Sequence, residues 1–255
     1  MSSTFVVTRS FQGGATFATF DRRKCEQGLI APIRKLLAAA PDDLSGIAVV
    51  TCVESGSKHA EESRDGGITP TIACLREAFP AEVASGRIVP VACADWGLNP
   101  GSATAINAGL AAAGSSTDVE HALVWSPEIA LDGHMLAEML AHKARHGLRL
   151  VGHFRNRWWQ RAQWMFAQNT CALWDIDLLR AIGGFEASCN GDGATVVRTI
   201  EFGDVPLAGM EDIEAYFRAY RLEDRFVRWG MVGQRRPAAW NLALKLPGTP
   251  EYENN

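Results

Sequence analysis

Four short stretches of the chain carry charged or hydroxyl side chains that could act on one ligand together. Thr8-Arg9-Ser10, Glu54-Ser55-Gly56, residues 95–101 and Ser126-Pro127-Glu128 each follow a run of β-like residues. A guanidinium such as that of Arg9 presents a fixed fork of donors that suits phosphate oxygens. A carboxylate such as that of Glu54 can accept hydrogen bonds from a base or a ribose. The plainer reading makes both of them solvated loop charges. Glu128 is a hard oxygen donor of the kind that a divalent ion bridging a diphosphate prefers, and Ser126 adds only a neutral hydroxyl. Glu128 could equally be a simple turn or helix-start carboxylate. A site without an ion would need cationic or amide donors for a leaving diphosphate, and Arg155, Arg157, Arg235 and Arg236 are present to supply them. Further along, Gly209-Met210-Glu211-Asp212 leads into an amphipathic stretch with Ile213, Phe217, Tyr220 and Leu222. Acidic residues there suit the positive end of a helix dipole. A carboxylate within hydrogen-bond reach of a hydroxyl could also serve as a general base. A lone histidine such as His153 is more often structural than a ligand.

The elements that must position these residues follow from hydrophobic spacing. Residues 4–8 form a short β-like run, and 11–20 read as loop. Leu29, Ile33, Leu36 and Leu37 give 25–40 helical spacing, and Pro41-Asp42-Asp43 breaks it. Residues 47–53 have almost no polar alternation, as a strand covered on both faces requires. Residues 55–67 are a polar loop or a frayed short helix, and 70–79 a helix with Ile72, Leu75 and Phe79 on one side. Strands are expected at 87–93, 121–125 and 148–152, and helices at 103–113 and 135–146, the last ended by Gly147. Asn99 or Ser102 can cap the small-residue helix 103–113, whose alanines allow close approach to a sheet. Its one amide side chain, Asn107, either holds a neighbouring loop or faces water. Residues 169–185 read as a strand-like segment, a short helix at 177–182 and the turn Gly183-Gly184-Phe185, where glycine permits tight backbone contact. Strands alternating with helices predict a three-layer α/β fold with a mostly parallel sheet. Such sheets bind ligands beyond the carboxyl ends of their strands, so the strand tips would share one edge.

A chain of 255 residues suffices for one substantial core, with or without a small lid. Apolar residues at 47% and charged residues at 21% describe an ordinary globular composition. A net charge of −4 argues against a nucleic-acid partner, which would favour a basic face. There is no long uncharged apolar run to span a membrane, and MSSTFVVTRS lacks a secretory pattern, so a cytoplasmic location is the default expectation. The six cysteines, at 25, 52, 74, 93, 171 and 189, show no CxxC spacing and read as reduced, mostly buried thiols rather than a zinc site. Tryptophans cluster in 158–174, where core packing is the main expectation and sugar stacking the alternative.

In order and spacing, these segments resemble the inverting nucleotide-sugar glycosyltransferases with a single Rossmann-like domain, often called glycosyltransferase family 2. That family has a pattern like N-x-G-x-x-x-A-x-N-x-G-L ahead of its metal strand. Asn99-Pro100-Gly101-Ser102-Ala103-Thr104-Ala105-Ile106-Asn107-Ala108-Gly109-Leu110 follows it closely. A later Gly-Gly-Phe segment is matched by Gly183-Gly184-Phe185, and an acidic pair opening a helix by Glu211-Asp212. The resemblance spans residues 4–222. It implies a glycosyltransferase A fold: one domain over 1–246 with a mixed, mostly parallel sheet flanked by helices. Within it, 1–150 would be the nucleotide-binding half and 151–246 the acceptor side, with 247–255 a loose tail. Thr8, Arg9 and Glu54 would lie around the nucleobase, ribose and diphosphate, with Asn99, Gly101, Ser126 and Gly184 completing the donor pocket. Asp212, with Glu211 beside it, would be the catalytic base. The family's Asp-x-Asp metal motif falls on Ser126-Pro127-Glu128, so its first carboxylate is absent and its second is lengthened. Glu128 would be the ligand to Mn2+ or Mg2+. The implied partners are a nucleotide sugar and an unknown hydroxyl acceptor, with homo-oligomerisation open. A noncatalytic nucleotide-sugar-binding protein of the same fold is the first alternative, and a nucleotidyltransferase the second.

Overall fold

A computed structural model of the chain describes residues 3–10, 12–39, 44–96, 103–114, 118–127, 131, 133–146, 150–154, 167–181, 185–187, 195–197, 201–202, 205–206 and 240–241. The amino-terminal strand β1 (Thr4–Arg9) leads to helix α1 (Arg22–Cys25), a π-helical segment (Glu26–Ile30) and helix α2 (Ala31–Ala39). Then come β2 (Leu44–Cys52), α3 (Pro70–Ala78), α4 (Pro80–Ala84), β3 (Ile88–Cys93), α5 (Ala103–Ala111), β4 (His121–Trp125) and α6 (Gly133–His146). Strands β5 (Leu150–Phe154) and β6 (Ala167–Asp175) and helix α7 (Ile176–Ala181) follow. The short strands β7 (Phe185–Ala187), β8 (Thr195–Val197), β9 (Glu201–Phe202), β10 (Val205–Pro206) and β11 (Trp240–Asn241) come last.

The main sheet has seven strands in the order β11-β5-β6-β4-β1-β2-β3. Strand β1 pairs in parallel with β2 and β4, and β2 with β3. Strand β6 runs antiparallel to both β4 and β5, and β11 antiparallel to β5. Hence β1 to β5 share one direction, while β6 and β11 oppose it. The fold is α/β with a mixed, mostly parallel sheet flanked by helices, as expected from the alternation of elements.

Helices cover both faces of this sheet, which explains the missing polar alternation in β2. Val6, Ile47, Val49, Leu123 and Leu173 pack on one side against Leu29, Ile30, Ile33, Leu36, Leu75, Phe79, Leu136 and Met139. Val7, Ala48, Val50, Val124 and Ala172 pack on the other against Ala105, Ile106, Ile176 and Leu179. Successive strand side chains point to opposite faces, so neighbouring residues such as Val6 and Val7 enter different cores.

Element boundaries differ from expectation where capping decides. The first helix begins at Arg22 because the Asp21 side chain accepts from the Lys24 amide. Helix α3 starts after the Thr69 cap, with Pro70 at its first position. It ends at Ala78, because Pro80 has no amide to continue the ladder and instead starts α4, which sequence spacing did not anticipate. Residues 55–67 are turns with one 3-10 turn at Asp65–Gly67. Cys25, Cys52, Cys74, Cys93 and Cys171 are buried free thiols, and Cys189 lies outside the described residues. Among the described residues no helix is long and apolar enough to cross a membrane.

Candidate functional site

The parallel pairing brings the carboxyl ends of β1, β2, β3 and β4 to one edge. Arg9 ends β1 and is only 5% exposed; by strand alternation it lies on the α5 side of the sheet. Thr8 is fully buried within the strand, and its hydroxyl has no hydrogen-bond partner among the described residues. Ser126, directly after β4, is buried as well. Glu54 lies two residues beyond β2, where its Oε2 accepts from the Trp96 amide at 2.8 Å. The Val53 amide donates to the Cys93 carbonyl at 2.9 Å, so the outlets of β2 and β3 are joined by backbone and side chain alike. Four of the residues expected to build a donor pocket, Thr8, Arg9, Glu54 and Ser126, therefore belong to this one edge. Asn99, Gly101, Glu128, Gly184, Glu211 and Asp212 lie outside the described residues.

Two loops are zipped together beside the outlets of β1 and β2. The Gly14 amide donates to the Ala60 carbonyl at 2.8 Å, and the Glu62 amide to the Ala15 carbonyl at 2.8 Å. Glu62 Oε2 accepts from the Phe17 amide at 2.7 Å, and the Arg64 guanidinium lies 3.5 Å from the Phe17 ring centroid. Gly13 is required at the crossing: a Cβ there would come within 2.3 Å of the Lys58 carbonyl oxygen. His59 lies against buried Trp96 with ring centroids 6.4 Å apart. Burial, reinforced by the Lys58 charge, lowers the His59 pKa and favours the neutral imidazole.

Beneath this loop pair sits a polar cluster that sequence reasoning missed. Glu61, 4% exposed, accepts from the Ser10 hydroxyl at 3.1 Å and from the Thr71 amide at 3.0 Å. Its own amide donates to the Cys52 carbonyl at 2.9 Å. The Thr69 hydroxyl donates to Thr51 Oγ1 at 3.4 Å while accepting from the Ile72 amide as the cap of α3. Burial pushes the Glu61 carboxyl above its ordinary range, and the hydrogen bonds from Thr71, Ser10 and Thr69 oppose that push. In sequence Glu61 is one acid in a polar loop, and no local pattern separates it from solvated neighbours such as Glu62.

Helix α5 carries residues 103–110 of the segment with the N-x-G-x-x-x-A-x-N-x-G-L spacing, and there Gly109 has a packing role. A Cβ at Gly109 would lie 2.4 Å from Val7 Cγ1 and 3.0 Å from Val50 Cγ2. Only glycine lets the helix sit this close to β1 and β2. Ser126 offers a buried neutral hydroxyl at the end of β4, and no group of three or more His, Cys, Asp or Glu side chains suited to an ion occurs among the described residues. No protein-family model matches the chain, and no curated protein matches it either.

Proposed function

We propose that the chain transfers a sugar from a nucleoside diphosphate donor to a hydroxyl acceptor, with inversion at the anomeric carbon, on a glycosyltransferase A fold. The observation that carries this reading is the common edge at which parallel strands bring together Arg9, Glu54 and Ser126. It is joined by the order and spacing along the sequence of segments 99–110, 183–185 and 211–212. Glu54, braced by the Trp96 amide, accepts a hydrogen bond from the base or ribose. Arg9 meets the diphosphate with its fixed donor fork, and Asn99, Gly101 and Gly184 shape the pocket around donor and sugar. Asp212, with Glu211 beside it, takes the acceptor hydroxyl proton as that oxygen attacks the anomeric carbon. The new carbon–oxygen bond forms on the face opposite the departing diphosphate, so the configuration inverts. Glu128 is the residue that would hold Mn2+ or Mg2+, an ion that would offset the charge of the leaving group, with Ser126 adding only a neutral hydroxyl beside it.

The noncatalytic reading has one specific observation in its favour: a buried serine, rather than a carboxylate, follows β4 at position 126. Release of nucleoside diphosphate from uridine, guanosine and thymidine diphosphate sugars, assayed with mixed hydroxyl acceptors, decides between the two. Turnover by the wild type, with Asp212→Asn binding the same donor but losing about 100-fold or more in rate, supports transfer. Donor binding without turnover supports the noncatalytic reading. Unchanged turnover in Asp212→Asn removes the base assignment.

A further inference from the structure

We propose that Cys25 and Cys74 form an oxidisable dithiol: a peroxide converts the pair to a disulfide that clamps α1 to α3. The site is separate from the residues assigned to sugar transfer and does not rest on that reading.

Two contacts, one helical turn apart, fix how these helices meet. On α1, Arg22 stands one turn before Cys25, and on α3, Glu77 stands one turn after Cys74. Arg22 and Glu77 form an exposed ion pair. Beneath it the Cys25 and Cys74 thiols share a hydrogen bond. Both are free thiols set in one apolar cluster with Leu29, Leu75 and Phe79. Sulfurs already in hydrogen-bond contact need only a small approach to bond, and each sits on a helix whose backbone is held by its own ladder.

The surroundings divide the roles between the two sulfurs. Cys25 is fully buried, whereas Cys74 is 5% exposed, so a small oxidant meets Cys74 first. The hydrogen bond from Cys25 lowers the Cys74 pKa, and the Arg22 charge acts in the same direction against the effect of burial. The same hydrogen bond and burial raise the Cys25 pKa. Cys74 is therefore the attacking thiolate and Cys25 the resolving thiol. The Cys74 sulfur attacks one oxygen of hydrogen peroxide, the O–O bond breaks, and hydroxide leaves and takes up a proton, giving Cys74 sulfenic acid. The Cys25 sulfur then loses its proton and attacks the Cys74 sulfur. The S–O bond breaks, and the second oxygen leaves as water. Two thiols are oxidised and one peroxide is reduced to two waters.

Proximity alone does not select this pair. Cys52 and Cys93 are direct partners on the parallel strands β2 and β3, and both face the α5 side. Parallel strands hold such partners about 4.8 Å apart, wider than the roughly 3.8 Å between Cβ atoms that a disulfide needs. The Cys93 thiol is also turned to the Asp95 carbonyl, to which it donates at 3.2 Å. The ladder keeps that pair reduced, whereas α1 and α3 meet only through side chains and can close on each other. A Cys25–Cys74 link closes the segment between them, which contains α2, β2 and the loop that carries Glu54 and Glu61. Closing so long a segment restricts the unfolded chain and favours the folded one. Small thiols return the link to the reduced pair by exchange.

The test treats the full folded chain with hydrogen peroxide, then blocks the remaining thiols and maps the peptides. In the wild type, Cys25 and Cys74 should be linked within one chain, the protein should be lighter by two hydrogens, and its Tm should rise. Dithiothreitol should reverse all three changes. Cys25→Ser should stop at Cys74 sulfenic acid, trapped by dimedone, with no link formed. Cys74→Ser should leave the Cys25 thiol unoxidised. If neither variant folds, the wild-type peptide map and Tm still decide. Cys25 and Cys74 both remaining thiols, whether or not Cys52, Cys93 or Cys189 oxidises, overturns the proposal. So does Cys74 oxidised beyond the sulfenic acid with Cys25 left free, a link between two chains, or a Tm that falls when the pair is joined.

Discussion

The two faces of the sheet are closed by different means. On one, α1, α2, α3 and α6 lay down large aliphatic and aromatic side chains, among them Ile33, Leu36, Leu75, Phe79 and Met139. On the other, α5 brings mainly alanine and glycine, and Gly109 rests directly on Val7 and Val50. The first face fills the space between layers with bulk, and the second removes the space. The difference matters for the site: α5 follows residues 99–102, of which the donor reading assigns Asn99 and Gly101 to the donor pocket. A helix drawn tightly onto β1 and β2 keeps its amino terminus near their outlets.

The contrast predicts opposite vulnerabilities. Leu36, fully buried on the broad face, should be most sensitive to loss of volume. Leu36→Ala leaves a cavity and should cost about 2–5 kcal/mol in urea unfolding. A cost near zero would mean the helices there collapse freely, and bulk would not be what closes that face. Gly109 should be sensitive to the reverse insult, a single added methyl. Gly109→Ala forces Val7 or the helix to shift and should cost about 1–3 kcal/mol, despite the helical preference for alanine. If the variant is as stable as the wild type, the close approach is a soft contact and the two faces are alike.

Much of the framework could be read before any coordinates, and the reason differs by element. Residues 121–125 were bounded correctly because the apolar run 122–125 lies between Glu120-His121 and Ser126-Pro127, and 70–79 nearly so because Ile72, Leu75 and Phe79 recur at helical spacing. The reversal of β6 could not be read, since side-chain alternation along a strand looks the same in either direction. Strand β11 has two residues, and its pairing with β5 joins positions almost ninety residues apart, about which local spacing is silent. The site divides in the same way. Arg9, Glu54 and Ser126 were visible as strand outlets. Glu61 was not, because its burial depends on Ser10, 51 residues away, and on Thr71 across a loop. A parallel sheet announces where its ligands would sit, whereas the buried polar support beneath that edge is made by contacts distant in sequence.

The smallest expected effect provides the sharpest control on the comparison. Gly28 sits in the π-helical segment of the broad face, exposed, with open space where a Cβ would stand. Its φ lies outside the left-handed region, so alanine meets neither clash nor backbone strain. Gly28→Ala should therefore stabilise the chain by about 0.5–1 kcal/mol, mainly by restricting the unfolded state. The same substitution on two helices would then carry opposite signs, and only the distance to the sheet separates them. Were Gly28→Ala to destabilise as much as Gly109→Ala, the penalty at 109 would reflect a general intolerance of helix changes, and the tight seating of α5 would lose its explanatory role.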